Sequence, residues 1–191
     1  MAESAAPSAA GALPSDAELL GHLERAVDEV FATMIGTCER RARVDGGELI
    51  ERSNGAELEL LLDGGALLRV DREAVVEFRG ALDGRVAIRA NAACATAIAR
   101  GLLMSEEEES LALEDVNDAL KECANMLTGW LKSKALDPLG AFSMSVPFIK
   151  DAPRELVGAP AGTLVYSTRG GEFAIELWRR PPSQNQLVES R

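Results

Sequence analysis

An α+β fold, with helices packed on one face of a largely antiparallel β-sheet, is what this sequence predicts, and three observations predict it. Apolar residues recur at helical spacing over two long segments, from Ala17 to Gly36 and from Leu113 to Leu136, with a short Ala-rich segment ahead of the second. Residues 41–91 and 142–178 read instead as short apolar runs punctuated by Asp-Gly and Gly-Gly, the pattern of hairpins. The resulting order is helix, strands, two helices, strands. It lets the helices collect on one face of a sheet whose sequential neighbours run antiparallel.

The chain has 191 residues, enough for one domain that buries a real core. The expected organisation is a disordered tail over 1–15, a single domain over 16–180 and a polar tail over 181–191. A formal charge of −11 argues against nucleic acid or an anionic membrane as partner, since both need a cationic surface. No stretch approaches the ~20 apolar residues of a membrane span, and no basic leader precedes an apolar run. The expectation is a soluble cytoplasmic protein. Three cysteines without a Cys-x-x-Cys form neither a disulfide framework nor a zinc site, so Cys38, Cys94 and Cys123 read as small core residues. The single His22 cannot build a histidine metal site and reads as a surface helix residue. No metal site is expected.

In order, Ser15 or Asp16 can cap a first helix. Leu19, Leu20, Leu23, Val27, Val30, Phe31 and Met34 form its apolar face, and Gly36 is its stop. Arg43 to Glu51 reads as a weak strand interrupted by Gly46-Gly47. Leu58 to Leu60 and Leu67 to Val70 flank Asp63-Gly64-Gly65 as a hairpin, and Ala74 to Phe78 and Arg85 to Ile88 flank a second turn at Asp83-Gly84. Ala92 to Met104 is a small helix. Ser105 with Glu108 resembles a capping box, and Glu106 to Glu109 reads as a solvated helix start or loop rather than a partner contact. Phe142 to Ile149, Thr163 to Thr168 and Glu172 to Trp178 are strands, the last two joined by Arg169-Gly170-Gly171.

The longest helix carries the chemistry. At ~100° per residue, Val116, Ala119, Leu120, Cys123, Met126, Leu127, Trp130 and Leu131 share one broad arc, the stripe of a helix packed on a core. Asp118, Glu122, Asn125 and Gly129 line the opposite side within ~40° of each other. Asn and Gly are poor interior helix formers, together costing about 1.5 kcal/mol relative to Ala. Gly129 also removes bulk one turn beyond the amide, which lets something approach closely. On spacing alone, a plain solvated face accounts for this row more readily than a site does.

The segment Asp118-x-x-x-Glu122-x-x-Asn125-Met126-Leu127-x-Gly129 resembles the signature helix of the CheC/CheX/FliY phosphatases of bacterial chemotaxis. That family carries an acidic or Ser residue, then Glu-x-x-Asn, and a Pro a little over twenty residues later, a role Pro147 fills one position short. Val75 to Gly80 with Gly84 to Ile88 resembles the family's glycine-punctuated hairpin, and Ala92 to Met104 its next helix. Only one Glu-x-x-Asn is present: in the first helix Glu29 is followed three residues on by Ala32. The likeness is therefore to the CheX type, with 45–72 longer than in typical relatives.

The resemblance implies hydrolysis of the phosphoaspartate of a CheY-like response regulator. Asn125 would orient the attacking water, Glu122 would pair with the regulator's active-site lysine, Asp118 would dock or support, and Gly129 would leave clearance for the partner. It implies no cofactor of the chain's own, Mg2+ belonging to the phosphorylated regulator, and it brings the expectation of a homodimer built through the sheets. The alternative is a non-catalytic adaptor that binds a receiver domain or a flagellar-switch protein through the same helix.

Overall fold

The computed structural model describes residues 13–36, 38–45, 50–53, 58–61, 67–150 and 160–180. Residues 1–12 of the tail expected over 1–15, the tail expected over 181–191, and the turns expected at 46–47 and 63–65 lie outside those residues, while Ser15 of the expected tail is ordered as the cap of the first helix. Helix α1 (Asp16–Val30) starts on a capping box: Ser15 Oγ accepts from the Glu18 amide, and the Glu18 carboxylate accepts from the Ser15 amide at 2.7 Å. The helix widens into a π-turn over Phe31–Ile35 and stops at Gly36, whose φ of 108° suits a residue without Cβ. Leu19, Leu20, Leu23, Val27, Val30 and Phe31 are buried as the spacing predicts, whereas Met34 lies on the widened turn and is exposed.

Strand β1 (Glu39–Asp45) and β2 (Ile50–Ser53) replace the single weak strand expected from Arg43 to Glu51. They belong to different sheets. β2, β3 (Leu58–Leu61) and β4 (Leu67–Val70) form a three-stranded antiparallel meander. The main sheet runs β1, then β9 (Pro160–Thr168), β10 (Gly171–Arg179), β6 (Gly84–Ala90) and β5 (Arg72–Arg79), every pair antiparallel. Gly84 is required in the β5–β6 turn because a Cβ there would collide with the Trp178 carbonyl and the Phe78 ring.

Beyond β5, the expected strand from Phe142 to Ile149 is two fragments, β7 (Ser143–Met144) and β8 (Phe148–Ile149), both paired with β5. Pro147 cannot donate to a ladder. Between the fragments Ser145 keeps the connection, its amide donating to the Glu77 carbonyl and its hydroxyl accepting from the Glu77 amide.

The pleat sorts the two faces of the sheet. Ala74, Ile88, Ile175 and Leu164 lie in register across β5, β6, β10 and β9 and join the main core with the helices. On the other face Val165 and Ala174 pack with Leu68 and Val70 of β4. The helices therefore cover one face, as expected, and the insertion supplies a small sheet to the other.

Helix α2 (Ala92–Leu103) is capped by Asn91 and ends on Met104 in the left-handed region. The capping box expected at Ser105 and Glu108 is absent. Helix α3 (Leu113–Leu131) starts on Ala112 without a side-chain cap, and 104–112 is a loop pinned by Arg100, which donates to the carbonyls of Glu106 and Glu109. The α-helix also stops before Leu136: a π-turn over Lys132–Leu136 leads into a 3-10 turn over Asp137–Leu139. In an α-turn the Pro138 ring would meet the carbonyl four residues back, and the widened turn relieves that conflict. Among the described residues no helix is long and apolar enough to cross a membrane.

Candidate functional site

α3 packs against β5 and β6 and touches both other helices. Val116, Ala119, Leu120, Cys123, Leu127 and Leu131 are buried as the arc predicts, joined by Ala124 and Thr128. Met126 and Trp130, expected on that arc, are only half-buried. They lie at its edge, where Trp130 turns its polar edge outward and donates from Nε1 to Glu29 Oε2 of α1 at 2.8 Å.

Asp118, Glu122, Asn125 and Gly129 share the side of α3 turned away from the core. Asp118 and Glu122 are exposed, and Asn125 and Gly129 are part-exposed. The row spans about 16 Å at 1.5 Å per residue. Asn125 Nδ2 lies 3.5 Å from Glu122 Oε2, the outer limit of a hydrogen bond, so both groups keep their capacity for other partners. Asp118 is matched by Lys121 at 2.6 Å, a pair its i,i+3 spacing made readable. Among the described residues Glu122 makes no ion pair, which leaves its charge available to a cation. A Cβ at Gly129 would meet nothing within 4 Å, so nothing in the surrounding fold calls for a glycine there. Pro147 sits just before β8, which contacts α3.

The row stands on a convex helix surface. The cavities around Trp178, Ser143, Thr168 and Leu111 are lined by other residues. A small-molecule site is normally concave, so this one suits a reactant presented by another macromolecule. His22 is half-buried beside Trp130, ring centroids 6.0 Å apart, and burial together with the Arg25 guanidinium holds its pKa below the usual value. Cys94 and Cys123 are buried core residues as expected, and Cys38 is half-buried against that core. Burial pushes the Cys123 and Cys94 thiols up and that of Cys38 to about 11, away from the reactive thiolate.

The family model described as chemotaxis phosphatase CheX matches residues 73–163, which contain the whole α3 row and Pro147. Comparison with curated proteins gave no match. Among solved structures, a putative chemotaxis protein from Desulfovibrio vulgaris Hildenborough is 21% identical over 85% of this chain and 97% of its own, with a TM-score of 0.62. Chemotaxis protein CheX from Vibrio vulnificus is 19% identical over 85% of this chain and 99% of its own, with the same TM-score. The CheX–CheY–BeF3–Mg2+ complex from Borrelia burgdorferi matches at 15% identity over 88% of this chain and 99% of that one, with a TM-score of 0.58. These likenesses establish a shared fold, and the family match says what the sequence resembles: over residues 73–163 this chain is similar to the chemotaxis phosphatase CheX family.

Proposed function

We propose that the chain hydrolyses the phosphoaspartate of a CheY-like response regulator, with α3 as the element that enters the partner's active site. The observation that carries this reading is Asn125: an uncharged carboxamide on the solvent side of a packed helix, one turn from an unpaired glutamate, within the segment that matches the CheX family. The CheX–CheY complex among the fold neighbours supports the choice of partner.

Water attacks phosphorus in line with the acyl oxygen, the phosphorus–acyl oxygen bond breaks, and the regulator recovers its aspartate carboxylate as inorganic phosphate leaves with the water's oxygen. The Mg2+ and the lysine that stabilise the phosphoryl oxygens belong to the regulator, so the chain needs no cofactor of its own. Its contribution is position. A carboxamide both accepts from and donates to a water without bringing negative charge near the phosphoryl oxygens. Phosphoryl transfer through a loose transition state depends on alignment more than on a base. Glu122 pairs with the regulator's lysine and sets the register of docking. Asp118, held by Lys121, lies at the edge of the contact. On this reading the protein works in the cytoplasm, with its regulator.

The test is timed phosphate loss from a charged CheY-like regulator with and without the protein. Binding without faster loss would select the adaptor reading. Glu122→Ala is expected to weaken binding to the phosphorylated regulator by about tenfold, the order of a lost charge-assisted hydrogen bond, and unchanged affinity would remove it from the interface. Gly129→Ala separates fold from function. It is expected to stabilise the protein by about 1 kcal/mol through helix propensity, since the added methyl meets nothing, and yet to slow phosphate release by crowding the partner. A thermal melt and a turnover assay on the same preparation check both halves.

A further inference from the structure

The outer end of α3 carries three features that loosen a helix. The Thr128 hydroxyl turns back onto the Ala124 carbonyl at 2.8 Å, an arrangement that bends helices. Gly129 adds backbone freedom, and the widened turn begins at Lys132. The Lys132–Asp137 ion pair joins that turn only to the 3-10 turn that directly follows it. Among the described residues, the side-chain hydrogen bond that ties α3 to another element is Trp130 Nε1 to Glu29 Oε2. It acts beside Gly129 and on the turn after Asn125. His22, seven residues before Glu29 and thus on the same face of α1, packs its ring against the same indole, so α1 holds Trp130 at two points.

We infer that Glu29 is a positioning residue: through Trp130 it holds the Asn125–Gly129 face of α3 in the shape the regulator docks on. The inference rests on reading α3 as the regulator-binding helix. Glu29 contributes an acceptor oxygen and no reacting group, so its loss shows in docking more than in chemistry.

The chain has two tryptophans, so the 15N-labelled protein shows two indole N–H signals, and Trp130→Phe identifies one of them. Glu29→Ala is expected to move that signal alone. It is also expected to raise KM for the phosphorylated regulator about fivefold, the order of one lost hydrogen bond, with kcat within twofold. Glu29→Gln, whose amide oxygen still accepts, is expected to bring KM back to within twofold of wild type. An unmoved Trp130 signal, an unchanged KM, or an equal fall in kcat would each overturn the inference. If the wild type binds the regulator without hastening phosphate loss, the phosphatase reading fails alone, and the dissociation constant takes the place of KM in the same comparison. If it does not bind at all, both readings fall.

Discussion

Asn125→Ala is expected to fold as the wild type does and to leave a charged regulator losing phosphate at close to its intrinsic rate. The fold survives because the carboxamide is part-exposed and its one described side-chain contact is the 3.5 Å approach to Glu122. Alanine is also the better helix former, by about 0.6 kcal/mol. On the proposed mechanism the chemistry is expected to fail, because nothing else on the α3 row can replace the carboxamide. Asp118 and Glu122 offer carboxylates, which accept but do not donate and which would meet the phosphoryl oxygens with like charge, and Gly129 offers no side chain. Loss of an aligned nucleophile is worth on the order of 100-fold in rate, about 2.7 kcal/mol in barrier height. The measurement is phosphate loss over time at saturating phosphatase, beside a thermal melt and a binding curve. A variant that works at the wild-type rate would end the proposal.

The parts of this protein that were legible in the sequence are those in which local chemistry and tertiary role agree. Val116, Leu120, Cys123 and Leu127 repeat at the helical period and are buried. Ser15 and Glu18 have the spacing of a capping box and form one. Asp118, Glu122, Asn125 and Gly129 fall on the outward side because rotation along a helix is fixed. What was not legible depends on neighbours from distant parts of the chain. Ser105 and Glu108 have the same spacing as Ser15 and Glu18, yet α2 ends just before them and Arg100 takes up the loop carbonyls, so the same local signal yields a loop. Trp130 belongs to the apolar arc by angle, but Glu29, 101 residues away, draws its N–H to the surface. Phe142 to Ile149 has strand composition, and Pro147 divides it. No period in the sequence shows that a second sheet lies over the far face of the first.

Arg89 is where that covered face has its largest consequence, and Arg89→Ala is expected to cost about 3–5 kcal/mol of stability. Its side chain is 0% exposed, as is that of Glu176, and Glu73 is 4% exposed. Arg89 stands in register with Glu73 across β5 and β6. It approaches Glu176 at 3.2 Å and Glu73 at 3.6 Å, with Lys150 a further 3.8 Å from Glu73. Burying three ions is costly, and their mutual attraction only offsets the desolvation. Removing Arg89 takes away the cation between two buried carboxylates; Lys150 beside Glu73 and the Trp178 indole N–H that Glu176 accepts from offset only part of that loss, so the change is worse than having no charges there. Replacing all three residues with apolar ones of similar volume is therefore expected to be close to neutral, although each change made alone is damaging. Because this network lies on the sheet face away from α3, the folded fraction of Arg89→Ala should retain the wild-type rate per molecule. Urea unfolding followed by fluorescence, with turnover measured below the transition, tests both statements. A midpoint shift equivalent to less than about 1 kcal/mol would mean that water reaches the far face of the sheet and that these charges are surface charges, worth as little as exposed pairs are.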